Sequence, residues 1–121
     1  MPASNVVTTP KMWGREVLLV NDAYCAKLLI YDGVRTSSKH YHRDKHETFA
    51  ILEGEFEIQW GPLGRKPETR IFGQGDCLVL APCTVHRVKC LSPSGGKIFE
   101  ASTHDDQEDC VRLEPSINPF G

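Results

Sequence analysis

The stretch Lys39-His40-Tyr41-His42-Arg43-Asp44-Lys45-His46-Glu47 is the most informative in the chain. On a β-strand, residues two apart point to the same face, so His40 and His42 can present both imidazoles to one ion. The four polar residues Arg43 to His46 then make a turn. Glu47 opens the next strand, which folds back beside the first and brings its carboxylate to the same point. His86, at the start of an apolar strand just after a turn containing Pro82, is the candidate third imidazole. Three imidazoles and one carboxylate suit a single divalent transition metal (Mn, Fe, Co, Ni or Zn) and leave two positions of an octahedron open to a substrate. A bare HxH often sits on a solvated face. HxHxxxxE followed by a Gly-Asp turn, a proline and a strand-initial histidine is a far stronger signal. His46, within the turn, is expected to face solvent.

Two further residues carry candidate chemistry. Glu100 lies between Phe99 and Ala101, and a carboxylate among apolar neighbours suits a general base. Its competing reading is a surface carboxylate on a wet strand face. Lys45, two residues before Glu47, can neutralise a phosphate, a carboxylate or a developing alkoxide; its competing reading is a solvated turn lysine. Phe49 and Ile51 share the face of Glu47 and are expected to line the interior beside the metal. Tyr41 and Arg87 alternate away from the ligands. Asp109 and Arg112, three apart after the last expected strand, read as a surface pair.

These side chains need strands to hold them, and short β-rich runs recur throughout. Strands are expected at Glu16–Val20, Cys25–Tyr31, Glu47–Leu52, Phe56–Trp60, Thr69–Phe72, Cys77–Leu80, His86–Leu91 and Lys97–Thr103. Between them lie Asn21-Asp22, Asp32-Gly33, Glu53-Gly54, Gly61-Pro62-Leu63-Gly64, Gly73-Gln74-Gly75, Ala81-Pro82 and Ser92-Pro93-Ser94-Gly95-Gly96, each with turn chemistry. Glu55-Phe56-Glu57-Ile58-Gln59-Trp60 alternates polar with apolar, as a strand with one wet face does. Many short strands at this spacing predict a sandwich or barrel, and nothing reads as a long helix.

At 121 residues the chain reads as a single domain spanning residues 1–121, with a core at about 11–113 and loosely held ends. The net charge of -2, without a long run of one sign, gives no footprint for nucleic acid or an anionic membrane. The first 15 residues contain no apolar segment of the secretory kind, and no stretch is long enough to span a bilayer. Five cysteines (Cys25, Cys77, Cys83, Cys90 and Cys110) form no CxxC pair and read as reduced, buried small hydrophobes. The expected compartment is the cytoplasm.

Gly33-x6-His40-x-His42-x4-Glu47-x6-Gly54 resembles the first motif of the cupins, and Gly75-Asp76 through His86 resembles the second. The family usually has one residue fewer between the first glycine and the histidine pair. Pro82 falls one place late, and the glycine commonly found after that proline is Cys83 here. Lys11-Met12-Trp13-Gly14-Arg15-Glu16 resembles the opening of cupins of the mannose-6-phosphate isomerase type. Lys27-Leu28-Leu29, Lys45 and Glu100-Ala101-Ser102-Thr103, followed by Asp109 and Arg112, are similar to that group too. The resemblance implies an all-β fold, the cupin double-stranded β-helix or jelly-roll barrel, with His40, His42, Glu47 and His86 around the metal.

The same resemblance implies a metal-dependent isomerase or epimerase acting on a small molecule, a sugar or sugar phosphate. In it the metal polarises a substrate oxygen while Glu100, with Lys45, moves the proton. An iron dioxygenase using the same four ligands, and a ligand-binding cupin without turnover, are the alternatives. A homodimer is expected, because small cupin barrels commonly pair and edge strands need covering. Trp13, outside the first expected strand, is a candidate contributor to that interface.

Overall fold

A computed structural model describes residues 6–120. Wherever apolar residues alternate with polar ones, the chain is extended and buries one face. Twelve strands follow in order: β1 (Val7–Lys11), β2 (Gly14–Asn21), β3 (Tyr24–Tyr31), β4 (Arg35–Thr36), β5 (Lys39–His42) and β6 (Glu47–Glu53). Then come β7 (Phe56–Pro62), β8 (Glu68–Phe72), β9 (Cys77–Leu80), β10 (Thr84–Cys90), β11 (Gly96–Thr103) and β12 (Cys110–Glu114). Gln107–Asp109 forms one 3-10 turn. Among the described residues no helix is long and apolar enough to cross a membrane.

The strands form two antiparallel sheets, in the orders β1-β2-β3-β11-β6-β9 and β12-β5-β10-β7-β8, with β4 paired to β10. This is the all-β jelly-roll barrel expected. Strand β3 shows the principle: Cys25, Lys27, Leu29 and Tyr31 are buried while the residues between them are half-exposed. Phe56, Ile58, Cys90 and Ile98 are fully enclosed, and Trp13, Leu29, Tyr31, Phe49, Ile51, Phe72, Leu80 and Val88 complete the core. Truncating Ile58 to alanine there carries a cost of about 2–5 kcal/mol. Gly54, in the β6–β7 turn, has φ +86, a conformation that favours glycine. A Cβ on Gly96 would meet the Phe56 ring at 2.7 Å, so the start of β11 can pass only as glycine.

All eight expected strands are present, with ends shifted by two residues or fewer. The ends of the chain require correction. Residues 7–11 are strand β1, paired along its length with β2. The segment after β12 is tied down: Ile117 N–H donates to the Thr36 carbonyl (3.2 Å), and Arg87 Nη2 donates to that of Pro115 (2.9 Å). Residues 1–5 and 121 lie outside the described residues. Trp13 is likewise not spare: it is buried and stacks on Tyr31 with ring centres 4.4 Å apart.

Candidate metal centre

Register places the site. His40 and His42 point to one face of β5, and three neighbours lie opposite them across the sheet: His86 of β10 and Arg112 of β12 opposite His40, Cys110 opposite His42. Glu47 approaches from the other sheet as the first residue of β6. The Arg43–His46 turn that carries the chain between sheets is held mainly by Asp109. The Asp109 carbonyl accepts from Arg43 N–H (3.1 Å), and its carboxylate accepts from Asp44 N–H (2.7 Å) and Lys45 N–H (3.1 Å). His46 N–H donates to Thr103 Oγ1 at 3.1 Å, so each amide of the turn has a partner.

Donor atoms of His42, Glu47 and His86 lie within 4.8 Å of one another, and all three residues are buried. His42 Nε2 stands 3.4 Å from Glu47 Oε2, and His42 Nδ1 faces Asp109 Oδ2 at 3.7 Å. His86 Nδ1 lies 3.0 Å from the Thr84 carbonyl. A carbonyl only accepts, so Nδ1 carries the proton and Nε2 keeps its lone pair. That Nε2 is buried with no hydrogen-bond partner, as is His42 Nδ1. His40 Nδ1 lies 2.9 Å from the Ser38 hydroxyl and 3.2 Å from the Ser38 carbonyl. The His40 ring centre is 4.4 Å from that of His86 and 5.2 Å from that of His42. The His42 and His86 ring centres are 6.0 Å apart, so His40 sits nearer to each than they do to one another, and its donor also groups with those of His42 and Cys110.

Burial makes these imidazoles hard to protonate. It holds His40 at about 2, aided by the neighbouring His86 and His42, and the charge of Arg112 pushes the same way. Burial, then Lys45, lowers His42 to about 4 against the pull of Asp109, and burial lowers His86 to about 4. Neutral imidazole is the form that ligates. Glu47 moves the opposite way: burial and then the Glu100 carboxylate raise its pKa, with Lys45 opposing.

Next to this cluster lies a buried set of charges. Lys45 Nζ is 2.7 Å from Glu100 Oε2 and 3.0 Å from Asp105 Oδ1, and Lys27 Nζ is 2.9 Å from Asp105 Oδ2 and 3.2 Å from Glu16 Oε1. Burial alone would depress the Lys45 ammonium, but Glu100 and Glu47 outweigh it and raise its pKa above the ordinary value. Burial alone would raise the Asp105 carboxyl, yet the hydrogen bond from Lys27 and the charge of Lys45 hold it down at about 2. Both groups of residues line one cavity of about 380 Å³, together with Phe49, Cys110 and Arg112.

The structure thus brings His42, Glu47, His86, His40, Lys45, Glu100 and Phe49 to one cavity. Ile51 departs from expectation: it is 2% exposed, sits in the core cluster and does not line the cavity, being one strand step deeper than Phe49. Lys45 is no solvated turn lysine and Glu100 no surface carboxylate, at 3% and 5% exposure. His46 is exposed, as expected. Asp109 and Arg112 are not a surface pair: Asp109 is buried beneath the turn, while Arg112 is exposed and borders the cavity. Cys77 and Cys83 are exposed rather than buried, while all five thiols are free. Sequence reasoning named Asp109 only as half of a surface pair, and missed Asp105 and the place of Cys110 beside the histidines. The signal available was the alternation of Cys110-Val111-Arg112-Leu113-Glu114, which marks β12.

The family described as Cupin domain matches residues 28–102, more than half of the chain. The chain belongs to the cupin family. Solved structures agree on the fold. The capsular polysaccharide assembling protein CapF of Staphylococcus aureus superposes with a TM-score of 0.80 at 15% identity, over 91% of this chain and 34% of that one. Oxalate decarboxylase of Bacillus subtilis gives 0.81 at 11% identity, over 93% and 31%. KdgF of Halomonas sp. gives 0.66 at 18% identity, over 78% and 81%. In sequence, the cupin is 34% identical over 70 residues to the uncharacterized protein YdbB of Bacillus subtilis (strain 168), covering 58% of this chain and 56% of that one. It therefore spans little more than half of YdbB and about a third of CapF or oxalate decarboxylase. The cupin fold implies a metal, and the side chains fit one: a buried imidazole nitrogen is left with a free lone pair beside a carboxylate and a second imidazole.

Proposed function

We propose that this cupin is a metal-dependent isomerase or epimerase acting on a sugar or sugar derivative. His42, Glu47 and His86 would hold one divalent transition metal, with His40 beside them. When bound, the metal supplies Lewis acidity to a substrate oxygen. The observation that carries the reading is the buried Lys45–Glu100 pair, 2.7 Å apart, on the wall of the same cavity as the candidate ligands. Glu100 accepts a proton from the hydroxyl-bearing carbon next to the carbonyl carbon and returns it to the carbonyl carbon, while the hydroxyl proton passes to the former carbonyl oxygen; in epimerisation the opposite face takes its proton from solvent. Lys45 keeps the carboxylate oriented and donates a hydrogen bond to the developing alkoxide. No oxidant enters and no electrons are lost, which separates this reaction from a dioxygenase. CapF, named for capsular polysaccharide assembly, shares the fold and supports a carbohydrate substrate. Free thiols at all five cysteines support a reducing, cytoplasmic setting.

Glu100→Gln tests this. Proton exchange at substrate carbon, measured anaerobically as deuterium incorporation across a panel of sugars and sugar acids, should fall by about 10²–10⁴-fold with metal content unchanged. Unfolding curves and metal analysis of the variant guard against a merely misfolded protein. Wild-type exchange rates in the variant, or turnover only with oxygen uptake, sink the proposal.

A further inference from the structure

Four cationic side chains line the cavity: Lys11, Lys27, Lys45 and Arg112. Lys27 and Lys45 are each held between two carboxylates. Lys11 and Arg112, both exposed, form no ion pair among the described residues; of the two, Arg112 stands opposite His40, which in turn stands opposite His86. The three residues make one row across β12, β5 and β10, so the guanidinium root is fixed to the same sheet face as the imidazoles. A guanidinium offers a planar fork of N–H donors that matches a carboxylate in two parallel hydrogen bonds. The lining also holds five carboxylates, Glu16, Glu47, Glu100, Asp105 and Asp106. Against four cations they leave the wall at a formal charge of about -1, which one dication turns to about +1. A single negative charge on the ligand balances that remainder. A doubly charged phosphate ester overshoots it, among carboxylates already short of free partners.

We infer that Arg112 is the specificity-determining anchor for a carboxylate on the substrate, and that the ligand class is a singly charged sugar acid rather than a neutral sugar or a sugar phosphate. The inference rests on the carbohydrate reading above and adds to it the end of the molecule that faces Arg112.

The experiment is calorimetric titration of the metal-loaded protein with matched pairs of hexuronate and hexose in the gluco, galacto and manno series. Each pair differs only in a carboxylate for a hydroxymethyl group. Wild type should bind at least one hexuronate 10- to 100-fold tighter than its hexose, the usual worth of a charge-assisted pair. Arg112→Gln should erase that preference while leaving hexose affinity and metal content unchanged, and Arg112→Lys should restore only part of it. Equal binding of both members, or a preference that survives Arg112→Gln, overturns the assignment and leaves the carbohydrate reading standing. Tighter binding of the matched hexose 6-phosphate overturns the choice of a singly charged ligand. Binding of none of these sugars overturns the carbohydrate reading and this inference with it.

Discussion

Glu47 bears the electrostatic strain of the site. Burial and the Glu100 carboxylate push its pKa to about 8, while His40, His42 and His86 are held at about 2, 4 and 4. A bound dication reverses the penalty on the carboxylate. Metal uptake near neutral pH should therefore expel a proton from Glu47, and affinity should tighten by up to about tenfold per pH unit until about pH 8. The imidazoles contribute no such dependence above about pH 5, because they are already neutral. The stability of the metal-free protein follows with opposite signs in two windows. Between about pH 4 and 6.5 the unfolded chain binds protons that the buried imidazoles refuse, so stability rises with pH. From 4.5 to 8 the folded state retains the Glu47 proton that the unfolded chain has lost, so this group lowers stability as pH rises. Three histidines outweigh one glutamate in the lower window, and Glu47 acts alone in the upper one. Thermal unfolding of chelator-treated protein should peak near pH 6.5 and decline towards pH 8, a decline that added metal removes. A metal-free melting temperature that keeps climbing to pH 8 contradicts the assignment.

Turns and edge strands carry the rest of the site. Cys83, between β9 and β10, has φ +64, the one left-handed residue other than glycine among those described. Its N–H donates to the His42 carbonyl at 2.7 Å, so the position helps hold β5. A side chain in this region costs about 1–2 kcal/mol, part of which glycine returns to the unfolded chain as entropy. Cys83→Gly should raise stability by about 1 kcal/mol, or several degrees in melting temperature. Cys83→Ala, which removes the sulfur but keeps the strain, should give no gain; equal gains from both variants would assign the effect to the thiol. What could be read in the sequence divides along the same lines. The HxH pair and Glu47 were legible because a period of two and a polar turn determine where those side chains point. β1 was not, since all five of its residues are exposed and Pro10 sits in it, leaving no buried face to reveal an edge strand. β12 was missed because it is short, charged and paired only with β5. With it went the placement of Asp109, Cys110 and Arg112, which depends on a register between segments some 70 residues apart. Lys45 was left with a competing reading as a turn lysine for a related reason: its partners Glu100 and Asp105 come from the far end of the chain.

On the whole molecule, the sheet that carries Glu47 and Glu100 turns an apolar face outward. Val17, Leu28, Phe99, Ala50 and Cys77 follow one another in register across β2, β3, β11, β6 and β9. Ala26, Ala101, Thr48 and Val79 make the next row, and Val79 is 60% exposed. The alternate positions, Lys27, Glu100 and Phe49, point into the cavity, so the outward set has no partner within the barrel. A continuous apolar surface spread over five strands exceeds what scattered exposed residues require. A second copy placed on this face would bury the aromatic ring of Phe99 near the centre of the contact, where interface energy concentrates. Such a pairing needs about 1,200–2,000 Å² of total buried surface to persist. The expected state is thus a homodimer formed through this sheet, with Trp13 uninvolved. Light scattering and sedimentation at micromolar concentration should report twice the chain mass. Phe99→Lys should shift the equilibrium to monomer by at least tenfold in dissociation constant, with metal content retained because the substitution lies on the opposite face from the ligands. A wild-type monomer removes the dimer altogether, and a dimer indifferent to Phe99→Lys moves the interface to another face.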